Sequence, residues 1–470
     1  MKYVEKKQGV LMGENNQMKT DAIYDARSLG MPKMLLLGLQ HMFAMFGATV
    51  LVPILVNSYF HGEGLSVQVT LFMAGLGTLF FHMVSKKKVP AFLGSSFAFL
   101  GGFATVAELN TGIYANMTYG EKLPYACGGI VVAGLLYLML SAVIRLVGVK
   151  RVMRFLPPVV TGPIIICIGL SLAGSAIGNA GTNWFLALIA LATIIVFNVW
   201  GKGIFKIIPI LMGVVISYAV AAIMQATGLS NPDGSAILDF SSVASARFIG
   251  LPPFQICKFD LTAILVMAPI SVATMMEHIG DMSAISATVG QNFLEDPGLH
   301  RTLIGDGMAT AMSAAFGGPA NTTYGENTGV LELSRVFDPR VIRLAAVYAI
   351  VLSFVPKFAQ VITSLPASII GGISFILYGM ISAIGIRNVV ENKVDFANSR
   401  NLIIAAVILV CGLGFSSGLT FEVGGTSITL TSLAIASLAG VVLNAVLPGN
   451  DYHFGVNPRG DAMRGVSLKK

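Results

Sequence analysis

Residues 319–327 read PANTTYGEN, and this stretch interrupts an otherwise apolar part of the chain with proline, glycine and small polar side chains. A second stretch, PAFLGSSFAF at residues 90–99, has the same character. Small polar side chains compete for backbone hydrogen bonds, and glycine and proline disfavour a continuous helix. Both stretches therefore predict segments whose helix is broken part of the way along.

The composition predicts that these broken segments lie in a membrane. The chain has 470 residues, of which 55% are hydrophobic and 11% charged, with a mean hydropathy of +0.78. A soluble domain carries about 25% charged residues. Continuously apolar runs close to a bilayer-spanning length exclude a barrel of alternating strands and predict an all-α polytopic membrane protein. Examples are residues 34–56, 130–147, 184–200 and 402–415.

The distribution of Lys and Arg sets the number and orientation of the segments. We place fourteen of them, centred near residues 45, 74, 99, 136, 167, 192, 215, 270, 309, 329, 350, 376, 408 and 437. With both tails in the cytoplasm, the loops on the outer side contain only Lys122, Arg247, Lys258 and Lys357. The other loop Lys and Arg residues fall on the cytoplasmic side, as the positive-inside rule requires.

An internal repeat relates the two halves of the chain. The sequence LP-x4-G occurs at residues 156–162 and again at 365–371, in the fifth and twelfth segments. The broken stretches 90–99 and 319–327 lie in the third and tenth segments. Both pairs are seven segments apart, and an odd separation means opposite orientations in the membrane. This pattern is typical of inverted-repeat transporters, whose binding site lies near the bilayer midplane.

Three acidic residues in apolar segments are the candidate functional residues. Glu277 and Asp281 are four residues apart, which places both carboxyl groups on one helix face, and Glu326 follows the broken tenth segment. A charge at the bilayer centre costs at least about 2.5 kcal/mol, so such residues indicate function. The alternative is a structural ion pair, but the predicted helix cores offer no Lys or Arg. Carboxylates that share a dry site cannot both ionise cheaply, which predicts a proton-coupling role for all three.

Other polar residues receive structural interpretations. Gln40 and His41 precede an apolar run and are predicted to lie at the membrane interface. Glu332 is predicted to form a surface ion pair with Arg335. Asp306 is close in sequence to Arg301 and is also interpreted as structural.

Several classes of protein are excluded by the sequence. The net charge of +7 is spread over short loops, which is a sign of topology and argues against nucleic-acid binding. No phosphate-binding loop of the GxxxxGK[ST] type is present, which argues against direct drive by ATP. The four cysteines and six histidines show no metal-ligand spacing, and no nucleophile–base constellation indicates an enzyme. We therefore expect no cofactor and no metal.

The longest motifs resemble the nucleobase–ascorbate transporter family, in its bacterial uracil permease branch, from about residue 30 to about residue 445. The segments that carry the resemblance are QHMFAMFGATVLVP (40–53), PAFLGSSFAF (90–99), EHIG (277–280), DPGLHR (296–301) and NTTYGEN (321–327). The resemblance implies proton-coupled uracil uptake across the bacterial cytoplasmic membrane by alternating access. It implies fourteen segments in two inverted repeats, with short antiparallel strands in segments 3 and 10.

The resemblance also implies a division into domains and a set of site residues. A core domain would comprise residues 34–150 and 261–364, a gate domain 151–228 and 365–447, an extracellular loop 229–260, and cytoplasmic tails 1–33 and 448–470. Glu277 and Glu326 match the glutamates that bind uracil. Phe97 and Gly325 match backbone contacts, and Ala48, Tyr324 and Tyr378 match wall residues. A homodimer through the gate domain is compatible with the resemblance, and the lipid bilayer is the expected surroundings.

One departure from the family pattern, the choice of substrate and two rival functions stay open at this point. A well-known form of the eighth-segment motif has histidine where this chain has Asp281, which puts the carrier of the coupled proton in doubt. The purine-transporting branch tends to have glutamine where this chain has Glu326, which favours uracil over xanthine. The rivals are a xanthine or other purine symporter of the same fold, and an anion exchanger or channel.

Overall fold

The computed structural model describes residues 22–423, 426–450 and 452, although the side chains of Ile207, Glu326 and residues 423–428 lie outside this description. Most of the described chain is helical. In chain order the α-helices are α1 (Met31–Tyr59), α2 (Val67–Val84), α3 (Leu100–Ala107), α4 (Tyr119–Val147), α5 (Val149–Met153), α6 (Pro158–Leu170), α7 (Ala173–Gly181), α8 (Trp184–Trp200), α9 (Ile204–Ile207), α10 (Pro209–Ala226), α11 (Ser241–Ser245), α12 (Leu261–Met267), α13 (Ser271–Val289), α14 (Leu299–Ala315), α15 (Gly325–Ser334), α16 (Pro339–Ser353), α17 (Pro356–Thr363), α18 (Ala367–Glu391), α19 (Ser399–Gly414) and α20 (Ser432–Val446).

The remaining regular elements are short. They are 3₁₀ turns at Ala26–Leu29, Gly112–Tyr114 and Ala268–Ile270, a π turn at Leu294–Gly298, and the strands β1 (Leu93–Ser95), β2 (Asn321–Thr323), β3 (Leu419–Val423) and β4 (Thr426–Leu430). The strands form two separate antiparallel pairs, β1 with β2 and β3 with β4. The first pair lies in the two broken stretches and confirms the predicted short strands.

The helices include several that can cross a bilayer. Within the described residues, seven are long and apolar enough, or eight if the pair α16–α17, bent by 90°, is counted as one span. Helices α8, α19 and α20 are apolar but shorter. Twelve of the fourteen predicted centres fall within α-helices, while residue 99 lies directly before α3 and residue 270 lies in the 3₁₀ turn between α12 and α13. Length and composition thus establish a polytopic membrane-type protein, and the count of fourteen stays a prediction.

The two LP-x4-G sequences open helices that pack directly against each other. Helix α6 begins after Pro157 and α18 after Pro366, so that proline stands at each N-cap. Gly162 of α6 lies against Val389 and the carbonyl oxygen of Gly385, while Gly169 lies against Tyr378 and Ser382. The residue numbers rise along α6 as they fall along α18, so the helices are antiparallel. Their backbones approach closely because glycine has no Cβ.

Two hydrogen bonds fasten this antiparallel helix pair. The Nδ2 of Asn388 donates to Oγ1 of Thr161 at 2.8 Å. The Oγ of Ser382 donates to the carbonyl oxygen of Ile166 at 3.1 Å.

The interpretation of His41 as a solvated interfacial residue needs correction, because its side chain lies inside the protein. Helix α1 begins at Met31, so His41 is ten residues, or about 15 Å, inside the helix, and its side chain is fully buried. The Nδ2 of Asn327 donates to its carbonyl oxygen at 3.1 Å. His41 thus lies at a contact between α1 and α15.

The predicted partners of two acidic residues also need correction. Asp306 is fully buried, and its Oδ2 lies 3.2 Å from Nδ1 of His278. Arg301 stands five residues earlier on α14, on a different face of the helix, which explains why it does not pair with Asp306. Glu332 does form a surface ion pair, but with Arg387, at 3.3 Å.

Candidate substrate site

The strands β1 and β2 form the centre of the candidate site. Leu93 pairs with Thr323, Gly94 with Thr322 and Ser95 with Asn321, and all six are buried. The ladder continues at both ends, through Ser96 N to Ala320 O at 2.8 Å and Tyr324 N to Phe92 O at 3.0 Å. The two broken stretches thus satisfy each other's backbone groups, which permits non-helical backbone at membrane depth.

A half-helix follows each strand. Helix α3 begins at Leu100, five residues after the end of β1, and α15 begins at Gly325, two residues after β2. Because the strands are antiparallel, the two half-helices leave the strand pair from opposite ends. Each begins with backbone N–H groups that have no partner within the helix and carry partial positive charge. Such groups suit the carbonyl oxygens of a small polar ligand.

Helix α1 is joined to the strand pair by buried hydroxyl groups. The Oγ of Ser95 donates to the carbonyl oxygen of Thr49 at 2.7 Å, and the phenol of Tyr324 donates to the carbonyl oxygen of Ser95 at 2.8 Å. The Oγ1 of Thr49 donates to the Tyr324 hydroxyl at 3.4 Å. The Tyr324 ring lies where a Cβ on Gly94 would be. Ala48, one residue before Thr49, is fully buried on the same helix.

Helix α13 brings its acidic residues to the strand pair. The Oγ1 of Thr323 donates to Oδ2 of Asp281 at 2.7 Å, and Asp281 is 3% exposed. Glu277, one turn earlier, is partly buried. Both residues take part in polar interactions. Helix α13 also packs against α15 and α18 of the second half of the chain and against α6 of the first half.

Helix α18 forms the opposite wall of the site. The rings of Phe97 and Tyr378 meet edge to face with their centroids 5.8 Å apart, and both side chains are buried. A Cβ on Gly325 would come within 2.5 Å of Cδ1 of Ile384, so only glycine fits there without displacing this side chain. Through these two contacts, Phe97 with Tyr378 and Gly325 with Ile384, α18 packs against the strand pair and the start of α15.

The predicted site residues thus lie on elements that converge. Direct contacts join Tyr324 to α1, Phe97 to Tyr378, and Asp281 to β2. Ala48 and Glu277 lie within one turn of residues that make these contacts. Glu326 is the second residue of α15, but its side chain lies outside the described part of the structure.

Sequence reasoning missed the residues that hold the site together. Thr49, Ser95 and Thr323 donate the hydrogen bonds. None of them is among the predicted site residues, although Ser95 and Thr323 lie in the two broken stretches. The stretch NTTYGEN gave a signal for Thr323, since a threonine in a broken membrane segment needs a buried acceptor. Thr49 had no such signal, because a threonine in an apolar helix usually bonds to its own backbone.

No metal site is evident in the part of the chain that the structure describes, where no group of three or more His, Cys, Asp and Glu side chains could hold an ion. The four cysteines are free thiols, with Cys127 and Cys167 buried. The arrangement instead offers carboxyl groups, hydroxyl groups, two helix N-termini and aromatic faces. These groups suit a planar, uncharged ligand that is rich in hydrogen-bond donors and acceptors.

Comparison with known proteins supplies relatives along most of the chain. The sequence model of a permease family (Xan_ur_permease) matches residues 32–421. The uracil permease of Bacillus caldolyticus is 41% identical over 428 residues, which is 88% of this chain and 91% of that protein. The uracil permease of Escherichia coli K12 is 36% identical over 421 residues, covering 87% of this chain and 90% of that protein.

A solved structure supports the fold. The transmembrane domain of the cyanobacterial bicarbonate transporter BicA aligns with a TM-score of 0.56 at 14% sequence identity. The alignment covers 89% of this chain and 99% of that domain. At so low an identity the likeness concerns the fold alone.

Proposed function

The chain belongs to the permease family of nucleobase–ascorbate transporters, and we propose that it imports uracil together with a proton. The membership makes it an integral membrane transporter and not an enzyme. The observation that carries the substrate proposal is the identity of 36% to 41% with proteins named uracil permease over nearly nine tenths of the chain. We place the protein in the bacterial cytoplasmic membrane with both termini inside, as the distribution of Lys and Arg supports.

We propose that uracil binds at the strand pair, between α1, α13, α15 and α18. Glu277 and Glu326 would bind the N–H edge and Phe97 and Gly325 would donate backbone N–H groups to the carbonyl oxygens. Ala48, Tyr324 and Tyr378 would form the walls. The edge-to-face pair of Phe97 and Tyr378 supports a flat slot, since a planar ring stacks or packs edge-on against aromatic rings.

The proposed architecture has fourteen segments in two inverted repeats. Support comes from the packing, because several helix contacts have a counterpart seven segments away. Helix α4, the fourth segment, packs on α14, the ninth. Their counterparts, α16 in the eleventh segment and α2 in the second, also pack on each other. Helix α8, the sixth segment, packs on α10 and α18. Its counterpart seven segments later, α19, packs in the same way on α20 and α6. In this proposal residues 34–150 and 261–364 form the core, and residues 151–228 and 365–447 form the gate.

Transport would proceed by alternating access, in which the core moves against the gate with uracil and a proton at the boundary. Asp281, held by Thr323, and the two glutamates are the proposed proton-coupling residues. Entry of one proton is worth about 2.3 kcal/mol per 100 mV and about 1.4 kcal/mol per pH unit. Together these terms support accumulation of roughly several hundredfold at one proton per uracil. A homodimer through the gate domain is part of this proposal.

The substrate proposal is tested by competition in proteoliposomes that contain the purified protein. We expect saturable uptake of labelled uracil that excess unlabelled uracil suppresses and excess xanthine leaves unchanged. Suppression by xanthine at similar concentrations would favour the purine symporter instead. The fold likeness to a bicarbonate transporter makes anion exchange the second candidate, and uptake of labelled bicarbonate in the same vesicles would favour it. The acidic site residues disfavour an anion.

A further inference from the structure

The segment before the first long helix, residues 22–30, lies along the ends of two site helices. Ile23 forms a parallel bridge with Val336. The backbone N–H of Ile23 donates to the carbonyl oxygen of Arg335 at 2.8 Å, and the N–H of Phe337 donates to the carbonyl oxygen of Ile23 at 2.8 Å. Arg335 is the C-cap of α15, with φ of 54°. Residues 22–30 are therefore hydrogen-bonded directly to the C-terminal end of α15.

Tyr24 connects the same segment to the end of α13. Its hydroxyl group donates to the carbonyl oxygen of Val289, the last residue of α13, at 2.9 Å. Its ring packs on Phe337 with centroids 5.6 Å apart. The last four carbonyl groups of any α-helix lack a partner within the helix. Tyr24 and Ile23 supply such partners at the ends of α13 and α15.

Charge and apolar contacts hold the segment in place. The N–H of Ala26 donates to Oδ2 of Asp338 at 2.7 Å, and Nη1 of Arg340 donates to Oδ1 of Asp25 at 2.9 Å. Hydrogen bonds from Arg27, with the nearby charge of Arg340, hold the pKa of the Asp25 carboxyl well below its usual range. Asp25 is therefore ionised at neutral pH and forms an ion pair with Arg340. Buried Ala26 packs with Val336 and Val341 in a small core of its own.

We propose that residues 22–30 form a strap that sets the relative position of α13 and α15, with Tyr24 as the positioning residue. This inference rests on the proposed function. Glu277 stands twelve residues before Val289, or about 18 Å along α13, and Glu326 stands nine residues before Arg335, or about 13 Å along α15. Because a helix transmits a shift at its end along its whole length, the strap controls how far apart the two carboxyl-bearing positions lie.

The test uses the full-length protein and three variants. Tyr24→Phe keeps the ring and removes the bond to Val289, whereas Tyr24→Ala removes both. Tyr348→Phe is the matched control, because it removes a tyrosine hydroxyl that donates to the carbonyl oxygen of Leu35 on α1 at 3.3 Å and makes no bond to α13 or α15. Hydrogen exchange is followed in peptides that cover residues 282–290 and 328–337. Uracil uptake is measured as KM and maximal rate in proteoliposomes.

The strap predicts a graded result. Tyr24→Phe speeds exchange at the end of α13 by about fivefold, the equivalent of one neutral hydrogen bond. Tyr24→Ala speeds exchange at the ends of both helices and raises KM for uracil roughly threefold or more, with a smaller effect on the maximal rate. The control Tyr348→Phe changes neither.

Two outcomes would overturn the strap. Unchanged exchange in Tyr24→Ala would mean that the segment does not hold the helix ends. Faster exchange with an unchanged KM would reduce it to an anchor that does not position the site. If the parent protein takes up no uracil, the proposed function fails, and the strap is then judged from hydrogen exchange alone. Faster exchange at the ends of both α13 and α15 in Tyr24→Ala supports the strap, and unchanged exchange at both rejects it.

Discussion

At the residue scale, Gly94 is the position where a single methyl group should be most costly. A Cβ there would meet the ring of Tyr324 and lie 2.6 Å from Oγ1 of Thr49. We predict that Gly94→Ala separates the strand pair from α1, costs about 1–3 kcal/mol of stability and abolishes uptake. The control is Gly101→Ala, which meets no atom within 4 Å and lies in a helix. Thermal unfolding and uptake of both variants check this, and equal behaviour would contradict it.

Thr323 offers a test of how the buried carboxyl group of Asp281 is held. Thr323→Val removes the donor to Oδ2 of Asp281 while it keeps the shape of the side chain. We predict a loss of about 1.5–3 kcal/mol of stability and a changed pH dependence of uptake. Thr323→Ser retains the hydroxyl group and should behave like the parent. Measuring the initial rate across a pH series distinguishes the variants, and a parent-like profile for Thr323→Val would remove Asp281 from the coupling scheme.

The acidic residues of the candidate site were predictable from the sequence, but the residues that contact them were not. Glu277 and Asp281 stand out because a carboxyl group in an apolar segment is costly. His41 looked interfacial because a sequence does not show how far α1 extends on its N-terminal side. Its contact with Asn327 joins residues 286 positions apart, and no local pattern contains that information.

At the element scale, the antiparallel pair α6–α18 depends on glycine. A Cβ at Gly169 would approach the carbonyl oxygen of Tyr378 and lie 2.9 Å from the backbone nitrogen of Ser382. We predict that Gly169→Val forces the two helices apart and lowers the melting temperature in detergent, by overpacking worth about 1–3 kcal/mol. Gly178→Ala, on the neighbouring α7, has no atom within 4 Å of its Cβ and should be neutral. A stable Gly169→Val variant would show that the helix pair tolerates separation.

The elements that carry a repeated sequence motif were predictable from the sequence. Features that depend on packing between helices were not. The LP-x4-G repeat marked the starts of α6 and α18, and the polar stretches marked β1 and β2. The short apolar runs 184–200 and 402–415 correspond to α8 and α19, whereas the bend of 90° between α16 and α17 has no sequence signal that we identified. Hydropathy reports only that a segment is apolar, whereas its length and direction depend on the helices around it.

At the scale of the whole molecule, the asymmetry of Lys and Arg predicts which loops face outward. Arg247 and Lys393 are both exposed and lie on opposite sides in this topology. In a protein whose four native cysteines are replaced, we predict that a membrane-impermeant thiol reagent labels Arg247→Cys on intact cells and labels Lys393→Cys only after the membrane is opened. Labelling of Lys393→Cys on intact cells would contradict an odd number of segments between the two loops.

In the proposed mechanism, carboxyl groups at the strand pair couple uracil entry to proton entry. The most direct measurement is uptake of labelled uracil into proteoliposomes under an imposed inward pH gradient, for the parent and for Glu277→Gln and Glu326→Gln. Glu295→Gln, an exposed acid outside the site, is the control. We predict that the parent and the control accumulate uracil until an uncoupler is added, and that both site variants fail to accumulate it. Parent-like accumulation in both site variants would contradict the coupling mechanism.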